Sequence, residues 1–144
     1  MADIVFINNG IPSRLTKSNE IEINCLINKV FEVEQFDFKQ LVFIFSSDEI
    51  LRKLNKKFLK HNNYTDILTF TLSEKNSPLV SEIYISIERV EKNALFYKVS
   101  YLNELSRVII HGILHLCGYQ DLSRELKKVM RAKENYYLEY LSFT

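Results

Sequence analysis

The segment 111–121 reads HGILHLCGYQD, and three of its side chains have the types and spacing to hold one metal ion. His111 and His115 are four residues apart, so on a helix their imidazoles stand one above the other on a single face, a spacing suited to gripping one ion. Gly118 follows three residues after the second histidine, where it can end the helix in a left-handed conformation that other residues resist. The chain can then turn back, and Asp121 can swing a carboxylate onto the open side of the same ion. Two histidines on an otherwise apolar helix can also be core residues with ordinary ring partners. Two of the chain's three glycines lie inside this segment, and a carboxylate follows at the third-ligand position, which favours metal binding. Cys117 comes two residues after His115, points to the other side of the helix, and reads as packing rather than as a fourth ligand. The expected set is His111, His115 and Asp121 around one Zn²⁺ per chain.

The frame H-x-x-x-H-x-x-G-x-x-D has the spacing of the metzincin zinc motif H-E-x-x-H-x-x-G-x-x-H with two substitutions. Gly112 stands where the protease motif has its glutamate base, which weakens a metalloprotease reading, and Asp121 stands where it has a third histidine. A mid-helix glycine costs about 1 kcal/mol relative to alanine. Gly112 therefore points to close packing or to room for a substrate.

Two basic stripes accompany the motif. Arg52, Lys53, Lys56, Lys57 and Lys60 recur at helical spacing opposite an apolar face, and Arg124, Lys127, Lys128 and Arg131 follow the metal segment directly. One such stripe is commonly a solvated helix face, but two flanking one metal cleft point to phosphate binding. The net charge of +1 adds no global attraction to nucleic acid, so binding must come from these local clusters.

The elements that must position these groups can be read from periodicity. Residues 4–7 predict a strand, and a helix capped by Ser18 should follow, with Ile23, Leu26, Ile27, Val30 and Phe31 on one face. Residues 41–45 are apolar without alternation, as in a strand covered on both sides. Ser46 and Glu49 form a capping box for a second helix carrying Ile50, Leu51, Leu54 and Phe58 on its inner face. The runs ILTFT (67–71) and EIYISI (82–87) predict strands joined by a turn. Helices are expected over 88–97, 101–116 and 123–141, with Tyr136, Tyr137 and Tyr140 packed or at the surface. Strands and helices mix without a regular β-α-β repeat, which predicts an α+β fold with a mixed sheet of about four strands, about five helices and the metal site on a helix.

A chain of 144 residues is the size of one domain, expected to span 1–144. Neither a signal peptide nor a stretch of roughly 20 apolar residues is present, so a soluble cytoplasmic protein is expected. Cys25 and Cys117 are too few and too far apart for a disulfide framework, and both are expected to be reduced and buried. Nothing in the sequence sets the oligomeric state.

The chain resembles the YbeY family of bacterial rRNA maturation endoribonucleases, whose hallmark is H-G-x-L-H-L-x-G-Y-D-H. His111, Gly112, Leu114, His115, Leu116, Gly118 and Tyr119 are in place. LNKKFLKHNNYTDILTF (54–70) is similar to the family's L-N-x-x-Y-R-x-K-D-x-P-T-D-V-L-S-F stretch at Leu54, Asn55, Thr65, Asp66, Leu68 and Phe70, and SEIYISIERVEKNA (81–94) to its G-D-I-x-I-S strand and following helix. Three positions depart: Asp121 for histidine, Gln120 for aspartate, and Leu59 for an arginine that is a natural phosphate contact. The resemblance implies a metzincin-like fold with zinc in a cleft. It also implies hydrolysis of single-stranded RNA at the 3′ end of 16S rRNA, with ribosomal RNA and the small ribosomal subunit as partners. On that reading Lys56, Lys57, Lys60 and His61 are substrate contacts. With Gly112 in the base position, proton transfer falls to His61, Glu82 or the substrate's 2′-hydroxyl. Asp66 can equally be a structural carboxylate capping a turn. The alternative is a non-catalytic, ribosome-associated RNA-binding factor with a structural metal.

Overall fold

A computed structural model of the chain describes residues 2–60 and 62–143. In chain order the elements are β1 (Asp3–Asn8), α1 (Lys17–Glu34), β2 (Phe38–Ser46), α2 (Asp48–Leu59), β3 (Ile67–Thr71), β4 (Leu79–Ser86), α3 (Ile87–Tyr97), α4 (Tyr101–Leu116) and α5 (Arg124–Leu138). This is the expected α+β arrangement of four strands and five helices. The strands form one mixed sheet in the order β1-β2-β4-β3, with β1, β2 and β4 parallel and β3 antiparallel to β4. Among the described residues no helix is long and apolar enough to cross a membrane.

Alternation along the strands sets the two faces of the sheet. Leu41, Phe43 and Phe45 of β2 and Ile83 and Ile85 of β4 are fully buried in one core with the inner faces of α1, α4 and α5. On the opposite face α2 covers β3 and β4, where Phe58 meets Phe70 edge-on at 5.7 Å and Phe70 meets Tyr84 at 5.8 Å. Val42 and Ile44 are only half-buried on that face and Val5 and Ile7 are exposed, so β2 is not covered on both sides as its composition suggested.

Every helix begins on a serine or threonine whose side chain accepts an amide hydrogen of the first turn. Two caps differ from the expected ones. α1 is capped by Thr16 in a reciprocal box with Asn19, two residues before Ser18. α2 is capped by Ser47, because Ser46 is still paired with Ser86 in the sheet and its hydroxyl accepts from Asn9. Asp48, Leu51 and Asn55 thus face inward, Phe58 is left 57% exposed, and Glu49 pairs with Arg52 instead of closing a box. Cys117 is buried as expected, but Cys25 is exposed, because Ile23, Leu26 and Ile27 take the inner face of α1.

α4 crosses β3 at Gly112, where a β-carbon would collide with Cδ1 of Ile67 and touch Thr69. The close-packing explanation for this glycine therefore holds. Alanine there gains about 1 kcal/mol of helix propensity but must push aside a flexible side-chain tip. Gly112→Ala is expected to be clearly more favourable in an Ile67→Val background than in the parent. Thermal melts of the four proteins in a double-mutant cycle measure this coupling.

Candidate metal centre

The end of α4 is built to reverse the chain beside its own histidines. Gly118 adopts φ +100°, the amide of Gly118 bonds the His115 carbonyl at 3.0 Å, and the amide of Tyr119 bonds the Leu114 carbonyl at 3.0 Å. These two bonds form the Schellman closure that glycine permits. The reversal returns Asp121 to the histidine face, with its Oδ2 at 3.4 Å from His111 Nε2 and 3.6 Å from His115 Nε2. The two Nε2 atoms lie 2.9 Å apart.

The other ring nitrogens are already engaged. His115 Nδ1 lies 2.9 Å from the Tyr119 carbonyl, which can only accept, so Nδ1 carries the hydrogen. His111 Nδ1 lies 2.7 Å from Glu134 Oε2 and donates to it. Both Nε2 atoms of the neutral rings are then bare lone pairs, and with Asp121 they make three acceptors facing one point. A shared cation is what such a set needs. The sides of 2.9, 3.4 and 3.6 Å bracket the edge of about 3.3 Å that joins two ligands of a tetrahedral ion with bonds of about 2.0–2.1 Å. Among the described residues this trio is the one group of three or more histidine, cysteine, aspartate or glutamate side chains that can hold a metal ion.

A second layer fixes the first. Glu134 of α5 is only 4% exposed and also accepts from Arg107 Nη1 at 3.0 Å. Burial pushes its carboxyl up, but the bonds from His111 and Arg107 outweigh that and hold it below the usual value. His111 answers in kind: burial works to lower it, and the hydrogen bond and charge of Glu134 prevail to raise it. Tyr119, whose carbonyl orients His115, donates its hydroxyl to Glu34 at 2.7 Å, and Tyr137 and Lys133 bond the same carboxylate. Carboxylate and carbonyl partners of this kind set the tautomer and orientation of metal-binding histidines. Sequence reading missed Glu134, although it falls on the buried stripe of α5 with Met130, Tyr137 and Leu138, where an acid is out of place.

A family model described as Endoribonuclease YbeY matches residues 11–142. The chain belongs to the YbeY family. Among its YbeY relatives, the Endoribonuclease YbeY of Cytophaga hutchinsonii is 42% identical over 122 residues, 85% of each chain. That of Amoebophilus asiaticus is 44% identical over 112 residues, 78% of this chain and 76% of the other. The fold is also similar to a Thermotoga maritima protein solved in solution, with a TM-score of 0.66 and 31% identity, covering 95% of this chain and 87% of that one.

In this YbeY chain His111 and Asp121 of the metal trio line a cavity of about 260 Å³ between α3, α4 and α5, bordered also by Asp66, Glu104, Arg107, Lys127, Arg131 and Glu134. Glu104 is 5% exposed, and burial, helped by the nearby Asp66 charge, pushes its carboxyl up to about 7. Burial likewise raises Asp66 against the opposing pull of His111. Of the two basic stripes only the one on α5 reaches this cavity. Lys56, Lys57 and Lys60 are exposed on and beside α2, which packs on the other face of the sheet, and none of them borders the cavity. Glu82 alternates with the buried Ile83 and pairs with Phe70, so it too lies on the face turned away from α4. His61 lies outside the described residues.

Proposed function

We propose that this protein is a zinc-dependent endoribonuclease that cuts single-stranded RNA, acting as a single domain over 1–144 in the cytoplasm. Its substrate is ribosomal RNA of the small ribosomal subunit, at the maturing 3′ end of 16S rRNA. The observation that carries this reading is the trio of bare acceptors, His111 Nε2, His115 Nε2 and Asp121 Oδ2, two of whose members line a cavity, in a chain of the YbeY family. Relatives 42% and 44% identical to this chain over 122 and 112 aligned residues bear the name Endoribonuclease YbeY.

The donor set suits zinc, which takes imidazole nitrogen and carboxylate oxygen in tetrahedral sites. Three protein ligands favour catalysis over a structural metal, since structural sites are normally closed by four. Zinc held there supplies Lewis acidity toward a phosphoryl oxygen and toward water. Glu134 and the Tyr119 carbonyl hold the two imidazoles in the tautomer that presents Nε2. Among the carboxylates bordering the cavity, Asp121 belongs to the trio and Glu134 is bound to His111 and Arg107. Asp66 and Glu104 are left to take or give a proton, the role that Gly112 cannot fill.

Pure protein should carry close to one zinc per chain by elemental analysis and should cleave a single-stranded RNA. Cleavage should stop with a chelator and return with added zinc. The His115→Ala protein, prepared in the same way, should do neither and controls for contaminating nucleases. Cleavage that persists in His115→Ala, or chelator-resistant cleavage by the parent, would sink the proposal.

A further inference from the structure

We infer that the cavity beside the metal trio is a nucleotide subsite, in which Lys127 and Arg131 bind an RNA phosphate next to the one cut and Tyr97 stacks the adjoining base. This deepens the endoribonuclease reading and rests on it.

Lys127 and Arg131 are one turn apart on α5, so they sit on the same side of the helix and both border the cavity that His111 and Asp121 enter. Their availability sets them apart. Arg107 on the same cavity is tied to Glu134 and Asn135, Arg89 to Asp48, and Lys133 to Glu34. Among the described residues, no hydrogen bond or ion pair engages the side chain of Lys127 or Arg131. Both are exposed on a helix whose inner face is already filled by Met130, Glu134, Tyr137 and Leu138, so neither is needed to pack the core.

Among the described residues no acid forms a hydrogen bond or ion pair with either cation, although Arg131 is near enough to Glu104 to pull on its carboxyl. Glu134 is matched by Arg107 and His111, Asp121 belongs to the metal trio, and burial raises the carboxyls of Asp66 and Glu104. Lys127 and Arg131 are thus the exposed cations of the cavity with no ion pair among the described residues, and they border the same cavity as His111 and Asp121. At the opposite rim α3 ends on Tyr97, a residue 54% exposed whose ring is braced edge-on by Phe96 at 5.2 Å. A basic groove with an exposed aromatic platform is the combination that binds single-stranded nucleic acid, the cations taking phosphate and the ring taking a base of any kind. A free nucleotide and an internal nucleotide of a chain present the same chemistry. The position next to the metal trio favours a residue of the RNA being cut.

The test measures binding of the zinc-loaded protein to a fluorescent 2′-O-methyl oligonucleotide, which lacks the free 2′-hydroxyl, by anisotropy across a salt series. Lys127→Ala with Arg131→Ala should weaken binding roughly tenfold near 0.1 M salt. The slope of log K against log salt should flatten by about 1.4, two phosphate contacts at about 0.7 each for a single strand. Tyr97→Ala should cost roughly tenfold and Tyr97→Phe little, because phenylalanine keeps the stacking face. Lys56→Ala with Lys57→Ala is the comparison pair. A parent that binds and cleaves RNA while the Lys127 and Arg131 pair changes neither affinity nor slope overturns the subsite alone, as does a larger loss in the Lys56 and Lys57 pair. A parent that neither binds nor cleaves RNA overturns the endoribonuclease reading and the subsite with it. Charge reversal at Lys127 and Arg131, both exposed and so safe for folding, should deepen the loss further.

Discussion

Exchanging Glu134 for leucine is expected to lower zinc affinity about 10–100-fold and to destabilise the metal-free protein, while glutamine, with one acceptor oxygen in place of two, loses less than leucine but does not restore both. The carboxylate accepts from His111 at 2.7 Å and from Arg107 at 3.0 Å while almost fully buried. Leucine offers neither partner an acceptor. His111 is then free to rotate or change tautomer, which removes one bare Nε2 from the trio. Arg107, whose side chain is only 20% exposed, keeps only Asn135. Removing one partner of a buried ion pair costs about 3–5 kcal/mol, and the remaining bond to Asn135 places this case toward the lower end. Glutamine keeps one acceptor oxygen, enough for His111 or for Arg107, while its NH2 faces the other donor and the charge is lost. Zinc competition against a chromophoric chelator and urea unfolding of the metal-free proteins measure the two effects separately. Leucine at 134 binding zinc as tightly as the parent would mean that His111 is held by something other than Glu134.

A second large effect is expected at Glu104, and its sign depends on pH. The folded protein holds this carboxyl at about 7, against 4.5 for an ordinary glutamate, because burial disfavours the anion. Between those two values the folded state keeps a proton that the unfolded chain has released. Stability must therefore fall as pH rises through that window. Glutamine is neutral at every pH and removes the slope. Glu104→Gln should match the parent near pH 4 and exceed it by roughly 3 kcal/mol at pH 8, since the parent loses about 1.4 kcal/mol for every pH unit across the window. Urea unfolding of both proteins at the two pH values reads this directly. Parallel pH dependences would show that Glu104 ionises in the folded state much as it does in the unfolded chain.

The trio was legible in the sequence because it is local. His111, His115 and Gly118 occupy fixed phases of one helix and its closure, so spacing alone brings Asp121 back to the same face. The fold class was legible for a related reason: period-two and period-3.6 patterns survive in β4 and α4 with little interference. The inner face of α2 was misread because Ser46 and Ser47 are both good caps, and only the sheet register with β4 decides between them. A one-residue shift there rotates the helix by about 100° and turns Phe58 outward. Glu134 was illegible as a partner of His111 because the contact joins α4 and α5 across 23 residues. The separation of the two basic stripes was hidden for the same kind of reason. Helical spacing fixes which residues share a face, but the side of the sheet on which that face lies is set by the topology.

The two thiols are placed so differently that the chain carries a ready attachment point for a probe. Burial, with Glu34 nearby, pushes the Cys117 thiol up to about 12, and its side chain sits in the core, so it stays closed to alkylating reagents while the protein is folded. Cys25 stands on the outer side of α1, and the chain has no third cysteine. A maleimide dye added to the native protein therefore labels one position, away from the α4–α5 cavity. Zinc and oligonucleotide titrations can then be followed from that single fluorophore without altering any residue of the site.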